Sequence, residues 1–132
     1  IGSMPEKAYR ASRAAIEIHD AVLALATPGR TLAELFDHAC ARADRLGYAD
    51  AFLGPPGHKA SFIGHGIGLE LIEPPIIARA RALPLEAGMV FALEPKLVYE
   101  NEFAAGVESV FKVTAGVGRL ISKVPVEIFI CR

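Results

Sequence analysis

The sequence has no excess of positive charge. Its 132 residues carry fourteen Lys and Arg against fifteen Asp and Glu, a formal net charge of −1. That leaves no basic footprint of the kind that neutralises nucleic-acid phosphates. Long apolar runs are also missing. Nothing approaches the roughly 18–20 uncharged apolar residues that a membrane span needs, and the stretch from Ala21 to Ala26 is ended by Pro28-Gly29. The opening residues Ile1 to Pro5 lack the charged-then-apolar order of a signal peptide. With no Met at position 1, the natural N-terminus is expected elsewhere. Cysteine is scarce: Cys40 and Cys131 stand alone, far apart in the chain. Cys40 falls on an apolar helical face and reads as a buried free thiol rather than half of a disulfide. A reducing cytoplasm is the matching compartment. Internal repeats and low-complexity segments are absent as well.

What the chain does have is apolar side chain. At 52% hydrophobic it can bury a core, which excludes disorder. That share is high for one small domain, because a short chain leaves much of its surface in water. Either the surface is unusually apolar and covered by a partner, or the chain is part of a larger unit. The first half reads as an αα-hairpin. From Pro5 to about Ala26, Ala8, Ala11, Ala15, Ile18, Val22 and Leu25 recur at three and four, the spacing of one helical face. Pro28-Gly29 stops that helix. Thr31 and Glu34 then form a capping box, the Thr hydroxyl accepting the Glu34 backbone N–H while the Glu reaches back. Leu32, Leu35, Phe36, Ala39, Cys40, Ala43 and Leu46 make one stripe, and Gly47 is placed to end it.

The second half changes character. The segment from Gly54 to His58 is a loop, Gly64 to Gly68 is a Gly-dense segment that permits close backbone approach, and Glu73-Pro-Pro75 is a further break. A turn over Leu83–Gly88 leads into a strand over Met89–Glu94. Further strands are expected over Val107–Thr114 and Val124–Cys131. Helices first and strands afterwards predict an α+β fold. Three positions are physically odd. Glu94 ends a strand that is otherwise apolar, and Glu108 lies within a strand that reads as buried. His65 sits between glycines, with few bulky neighbours to crowd its ring. An ionised carboxylate in a core is costly unless it is paired or bound to a metal. Taken singly, each Glu also suits a strand edge or an Arg partner, and a His in a Gly-rich loop also suits a turn.

Together, Phe62 to Glu70, Leu85 to Pro95 and Gly106 to Thr114 resemble three successive signatures of the pita-bread metallopeptidases. That family comprises methionine aminopeptidases, Xaa-Pro aminopeptidases, prolidases and creatinase. The helical pair resembles the one that precedes the His motif there, so the likeness covers essentially the whole chain. Gly68-Leu-Glu70 and Glu73-Pro-Pro75 after the His are most similar to the Xaa-Pro peptidases. The resemblance implies that residues 1–132 are the C-terminal portion of such a catalytic domain. It implies a partial pita-bread fold, with a helical pair followed by a mainly antiparallel sheet. It also implies two divalent ions, Mn, Co, Fe or Zn, a donor set of carboxylates and imidazole without sulfur. By the same likeness His65 is a ligand of one metal. Glu94 is a ligand of that metal and the general base for the attacking water, and Glu108 is the carboxylate that bridges both metals. The implied activity is that of a hydrolase acting on peptides or dipeptides, as an aminopeptidase or a dipeptidase.

Departures from the family pattern qualify that expectation. The pattern needs two further Asp ligands on a hairpin before the helical pair, and Asp20, Asp37, Asp44 and Asp50 match no such motif. The chain alone is therefore expected to be inactive, completed by a missing N-terminal half of the domain. A His seven residues after the ligand is replaced by Ile72, and one four residues before it by Ser61; His58 lies in the same loop. Two rival readings follow. The pita-bread fold also serves as a non-catalytic peptide- or protein-binding module, and a creatinase-like amidinohydrolase can work without the dinuclear centre. The apolar surplus becomes, on this reading, the face that packs against the missing half, through which the isolated chain forms a homodimer or aggregates.

Overall fold

The computed structural model of the chain describes residues 3–129, as two helices followed by seven strands. Helix α1 spans Glu6–Leu25 and buries Ala11, Ala14, Ala15, Ile18, His19 and Val22 along one face. Helix α2 spans Leu32–Arg45 and buries Leu32, Leu35, Phe36, Ala39 and Ala43. The start of α2 is the capping box that its sequence predicts. The Glu34 N–H donates to the Thr31 hydroxyl at 3.2 Å, and the Thr31 N–H donates to the Glu34 carboxylate at 2.7 Å. The Thr31 backbone N–H, followed by the Arg30 side chain and the Thr31 hydroxyl, holds the Glu34 carboxyl below the usual carboxylate range. Its contribution is thus complete above the ordinary carboxylate pKa and is lost as pH falls through the lowered value. Gly47, at φ +79°, ends the second helix in the left-handed region. Neither helix is long and apolar enough to cross a membrane.

The strands are β1 (Phe62–Gly66), β2 (Glu73–Ala78), β3 (Val90–Leu93), β4 (Lys96–Tyr99), β5 (Phe103–Gly106), β6 (Ser109–Val113) and β7 (Gly118–Leu120). Five of them form an antiparallel sheet in the order β2-β1-β3-β6-β7, and β4 pairs with β5 alone. One register runs through both sets. Val90 pairs with Lys112 and Leu93 with Ser109, then Lys96 pairs with Gly106 and Tyr99 with Phe103. The two ladders are therefore one long hairpin, interrupted where Glu94-Pro95 faces Val107-Glu108. Pro95 has no N–H to donate, so the ladder cannot close there. The Glu94 N–H turns instead to the Ile63 carbonyl on β1, at 2.8 Å.

Burial alternates along β6: Ser109, Phe111 and Val113 are buried, while Val110 and Lys112 between them are more open. The buried set faces the helices. There Phe91 and Phe111 stack at 5.6 Å, in one core with Ile18, Val22, Leu32, Leu35, Ile63, Ile77, Leu93 and Leu97. Close approach of β1 to β3 requires a glycine, since a Cβ on Gly64 would lie 2.4 Å from the Ala92 carbonyl oxygen. The loop before β1 is organised by Lys59, whose ammonium donates to the carbonyls of Ala49, Asp50, Phe52 and Gly54 at 2.8–3.1 Å. Backbone acceptors that would otherwise go unpaired are satisfied in this way.

Several expectations change. Glu73-Pro-Pro75 is the beginning of edge strand β2 rather than a break, because an edge position tolerates residues without an N–H. Most of the Gly-dense segment is strand β1, held by ladders from both neighbours, β2 and β3. The strand expected over Val124–Cys131 does not form within the described part. Val124 and Phe129 there are 66% and 61% exposed, and Cys131 lies outside the described residues. The edge beside β6 is already taken by β7, whose short sequence carries no strand signal of its own. Strands β4 and β5 were likewise unmarked by any apolar alternation. Cys40 is half-buried rather than buried, and burial still pushes its thiol up.

A polar tie joins the two halves. His19 is fully buried on α1; its Nε2 lies 2.6 Å from the Ser109 hydroxyl on β6, and its Nδ1 lies 2.9 Å from the Asp20 carboxylate. Two substitutions test these devices by urea unfolding. Thr31→Ala should lower stability by about 1 kcal/mol through loss of the cap. His19→Ala should cost about 1–3 kcal/mol, since it strands a buried hydroxyl. A double-mutant cycle with Ser109→Ala should show that most of that loss is shared.

Candidate functional site

The break in the long hairpin collects the chemistry-bearing residues. Paired residues in a sheet share a face, and residues two apart along a strand return to it. His65 pairs with Ala92, and Ala92 pairs with Val110. Glu94 stands two residues beyond Ala92 and Glu108 two before Val110. All three candidates therefore project from the sheet face opposite the helices. Pro95 keeps the register and accepts from the Val107 N–H at 3.4 Å but returns no N–H to its partner, so the two carboxylates flank a gap in the ladder.

His65 is buried, at 3% exposure. Its Nδ1 lies 3.0 Å from the Gly66 carbonyl, an acceptor only, so this nitrogen carries the proton. In the neutral ring that hydrogen bond puts the lone pair on Nε2. Nε2 lies 3.5 Å from Glu94 Oε1. The ring is less open than the flanking glycines imply, because Phe62 packs edge-on against it with centroids 6.2 Å apart. A bulge between Phe62 and Gly64 brings that phenyl ring to the same side.

Glu94 is partly buried, and its second oxygen, Oε2, accepts from the Lys96 ammonium at 2.9 Å. Glu94, Pro95, Lys96, Gly106, Val107 and Glu108 line one cleft of about 240 Å³. Glu108 is exposed, and the expectation of a buried strand position is corrected. It precedes β6 by one residue and points from the open face, so water meets the cost of its charge. The structure thus joins His65 to Glu94 and places Glu108 in the same cleft as Glu94. Among the described residues no three His, Cys, Asp or Glu side chains converge as a group able to hold an ion. Asp20 bonds His19 and Asp37 bonds Arg79, while Asp44 and Asp50 are exposed. Ser61, Ile72 and His58 are all exposed.

Two participants escaped the sequence reading. Lys96 was legible in principle, since a strand position two residues after Glu94 shares its face. His19 carried only the faint signal of a polar residue inside an alanine-rich helical stripe. Its partner, ninety positions away, could not be inferred from spacing.

Known proteins share this arrangement of elements. Residues 1–115 match the model of metallopeptidase family M24. A methionine aminopeptidase of Chlamydia pneumoniae is 33% identical over 100 residues, covering 74% of this chain and 32% of that protein. An Xaa-Pro dipeptidase of Pyrococcus furiosus is 28% identical over 128 residues, covering 97% of this chain and 35% of the relative. The crystal structure of an X-Pro aminopeptidase from Thermotoga maritima superposes with a TM-score of 0.87 at 26% identity, over 98% of this chain and 35% of the other. The chain spans about a third of the length of these relatives. Its helical pair and antiparallel sheet have the pita-bread architecture of those neighbours, an α+β fold. The chain belongs to metallopeptidase family M24.

Proposed function

We propose that residues 1–132 form the C-terminal portion of a pita-bread catalytic domain whose activity is metal-dependent hydrolysis of peptides or dipeptides of the Xaa-Pro kind. The observation that carries the proposal is the pairing of His65 with Glu94 beside a cleft shared with Glu108. In this reading His65 and Glu94 would hold one divalent ion, and Glu108 would be shared between it and a second. The residues present fit such a group in two respects. The Gly66 carbonyl fixes the His65 proton on Nδ1, which leaves Nε2 as a donor atom aimed toward a carboxylate. Glu94 is an anion in partly buried surroundings that already takes a positive partner. Mn, Co, Fe or Zn bound there would acidify a water molecule and polarise the scissile carbonyl.

The chain's own residues account for the rest. In this reading a Glu94 carboxylate oxygen accepts the proton of the attacking water. His65 is fixed in orientation by its backbone hydrogen bond, so no reorientation is needed as charge develops. Phe62 packs against the imidazole and helps keep bulk water from it. Three donors do not complete a two-ion centre, so in this reading the chain hydrolyses nothing by itself and its other ligands come from outside it.

A second reading, a non-catalytic peptide- or protein-binding module, draws support from Ser61 and Ile72. Both positions are ones where the resemblance calls for histidine. Metal content separates the two: about two equivalents per complete protein supports the enzyme, and none supports the module. Within the enzyme reading, Glu94→Ala and Glu108→Ala in the complete protein should each lower metal-dependent hydrolysis of an Xaa-Pro dipeptide by about a hundredfold or more. Even groups behind the ligands typically cost about 10–100-fold. Unchanged turnover in either variant overturns the assignment of that residue.

A further inference from the structure

We propose that Lys96 is a built-in competitor for the metal: its ammonium occupies Glu94 and must leave before that carboxylate can take a divalent ion, so Lys96 sets the metal affinity of the site. The inference rests on the ligand assignment above. One Glu94 oxygen is already engaged within the chain, Oε2 by the Lys96 ammonium at 2.9 Å, while Oε1 faces His65 Nε2 at 3.5 Å. The contact is imposed by the backbone. Lys96 opens β4 two residues beyond Glu94, and the intervening Pro95 restricts the chain between them. Its register partner is Gly106, which leaves the space beside the lysine stem free of a side chain.

The ammonium is also held from a second direction, 6.0 Å over the Phe62 ring that packs against His65. Glu94 is its single ion-pair partner among the described residues. The pair is only partly solvated, with side-chain exposures of 36% for Lys96 and 20% for Glu94, so water screens it less than a surface pair. A divalent ion on Glu94 would meet the positive charge of that ammonium. The two cations exclude one another, and the lysine side chain, 36% exposed beside the cleft, is the one that would turn away. Without metal, the ammonium offsets the negative charge that Glu94 and Glu108 bring to one cleft. The site therefore alternates between two cations.

The test is a Mn²⁺ titration of the complete protein, followed by the paramagnetic resonance signal of the free ion. Wild type is compared with Lys96→Met, which keeps the stem against Phe62, Lys96→Gln, Lys96→Arg and Glu94→Gln. The two neutral variants should bind Mn²⁺ on the order of tenfold more tightly, as removal of an adjacent positive charge predicts. Lys96→Arg, which keeps the charge, should bind as wild type does. Unchanged or weaker binding by both neutral variants overturns the proposal. Glu94→Gln tests the underlying assignment separately. If it binds as wild type, the ligand reading fails; if it loses binding while the Lys96 variants do not differ, only the competition fails.

Discussion

Pro95 interrupts a hairpin that otherwise keeps one register from Val90–Lys112 to Tyr99–Phe103. A proline within a ladder removes a hydrogen bond that nothing else on the partner strand can replace. The cost is confined to two residues on each strand. Those residues include both candidate carboxylates, which flank a cleft instead of pointing from a closed sheet. Glu94 keeps its backbone satisfied through Ile63 on the neighbouring strand, so its side chain is held although its own ladder is broken. Lys96 enters the site by the same route, as the first residue to resume the pairing.

The helices hold this gap in place from the other side of the sheet. Ser109, next to Glu108, is tied through its hydroxyl to His19 in the middle of α1. Phe91, Leu93 and Phe111 around it are fully buried against the same helical pair. A polar contact sealed in that way is worth more than its like in water, because neither group has solvent to fall back on. The strand that Glu108 leads into is thus anchored one residue away by packing and a hydrogen bond, while Glu108 itself stays in contact with water. Rigid support on one face and an open opposite face are what a site built on strands requires.

The chain belongs to metallopeptidase family M24 and superposes on an X-Pro aminopeptidase with a TM-score of 0.87. The chain covers 35% of that neighbour, and its candidate donors all lie on the face that no helix of its own covers. Exposed apolar side chains, Leu69 and Leu71 among them, accompany that open architecture. The apolar surplus of the composition is therefore only partly absorbed by the core between the helices and the sheet.

Local chemistry was readable from the sequence wherever one short segment contained the whole device. The αα-hairpin, its capping box and the Gly47 stop depend on contacts three or four residues apart, and the order of the three motifs singled out His65, Glu94 and Glu108 as candidates. Strands β4, β5 and β7 were not readable. They are short and carry little alternation, and they exist because a register begun elsewhere continues through them. The burial of His65 and the exposure of Glu108 depended on which face each strand turns to the helices. The ties of His19 to Ser109 and of Lys96 to Glu94 were decided by register and packing. Sequence determined which groups were available and where helices begin and end, because those choices are settled by near neighbours. Tertiary structure decided which groups meet, because a partner ninety residues away is chosen only when the strands have paired.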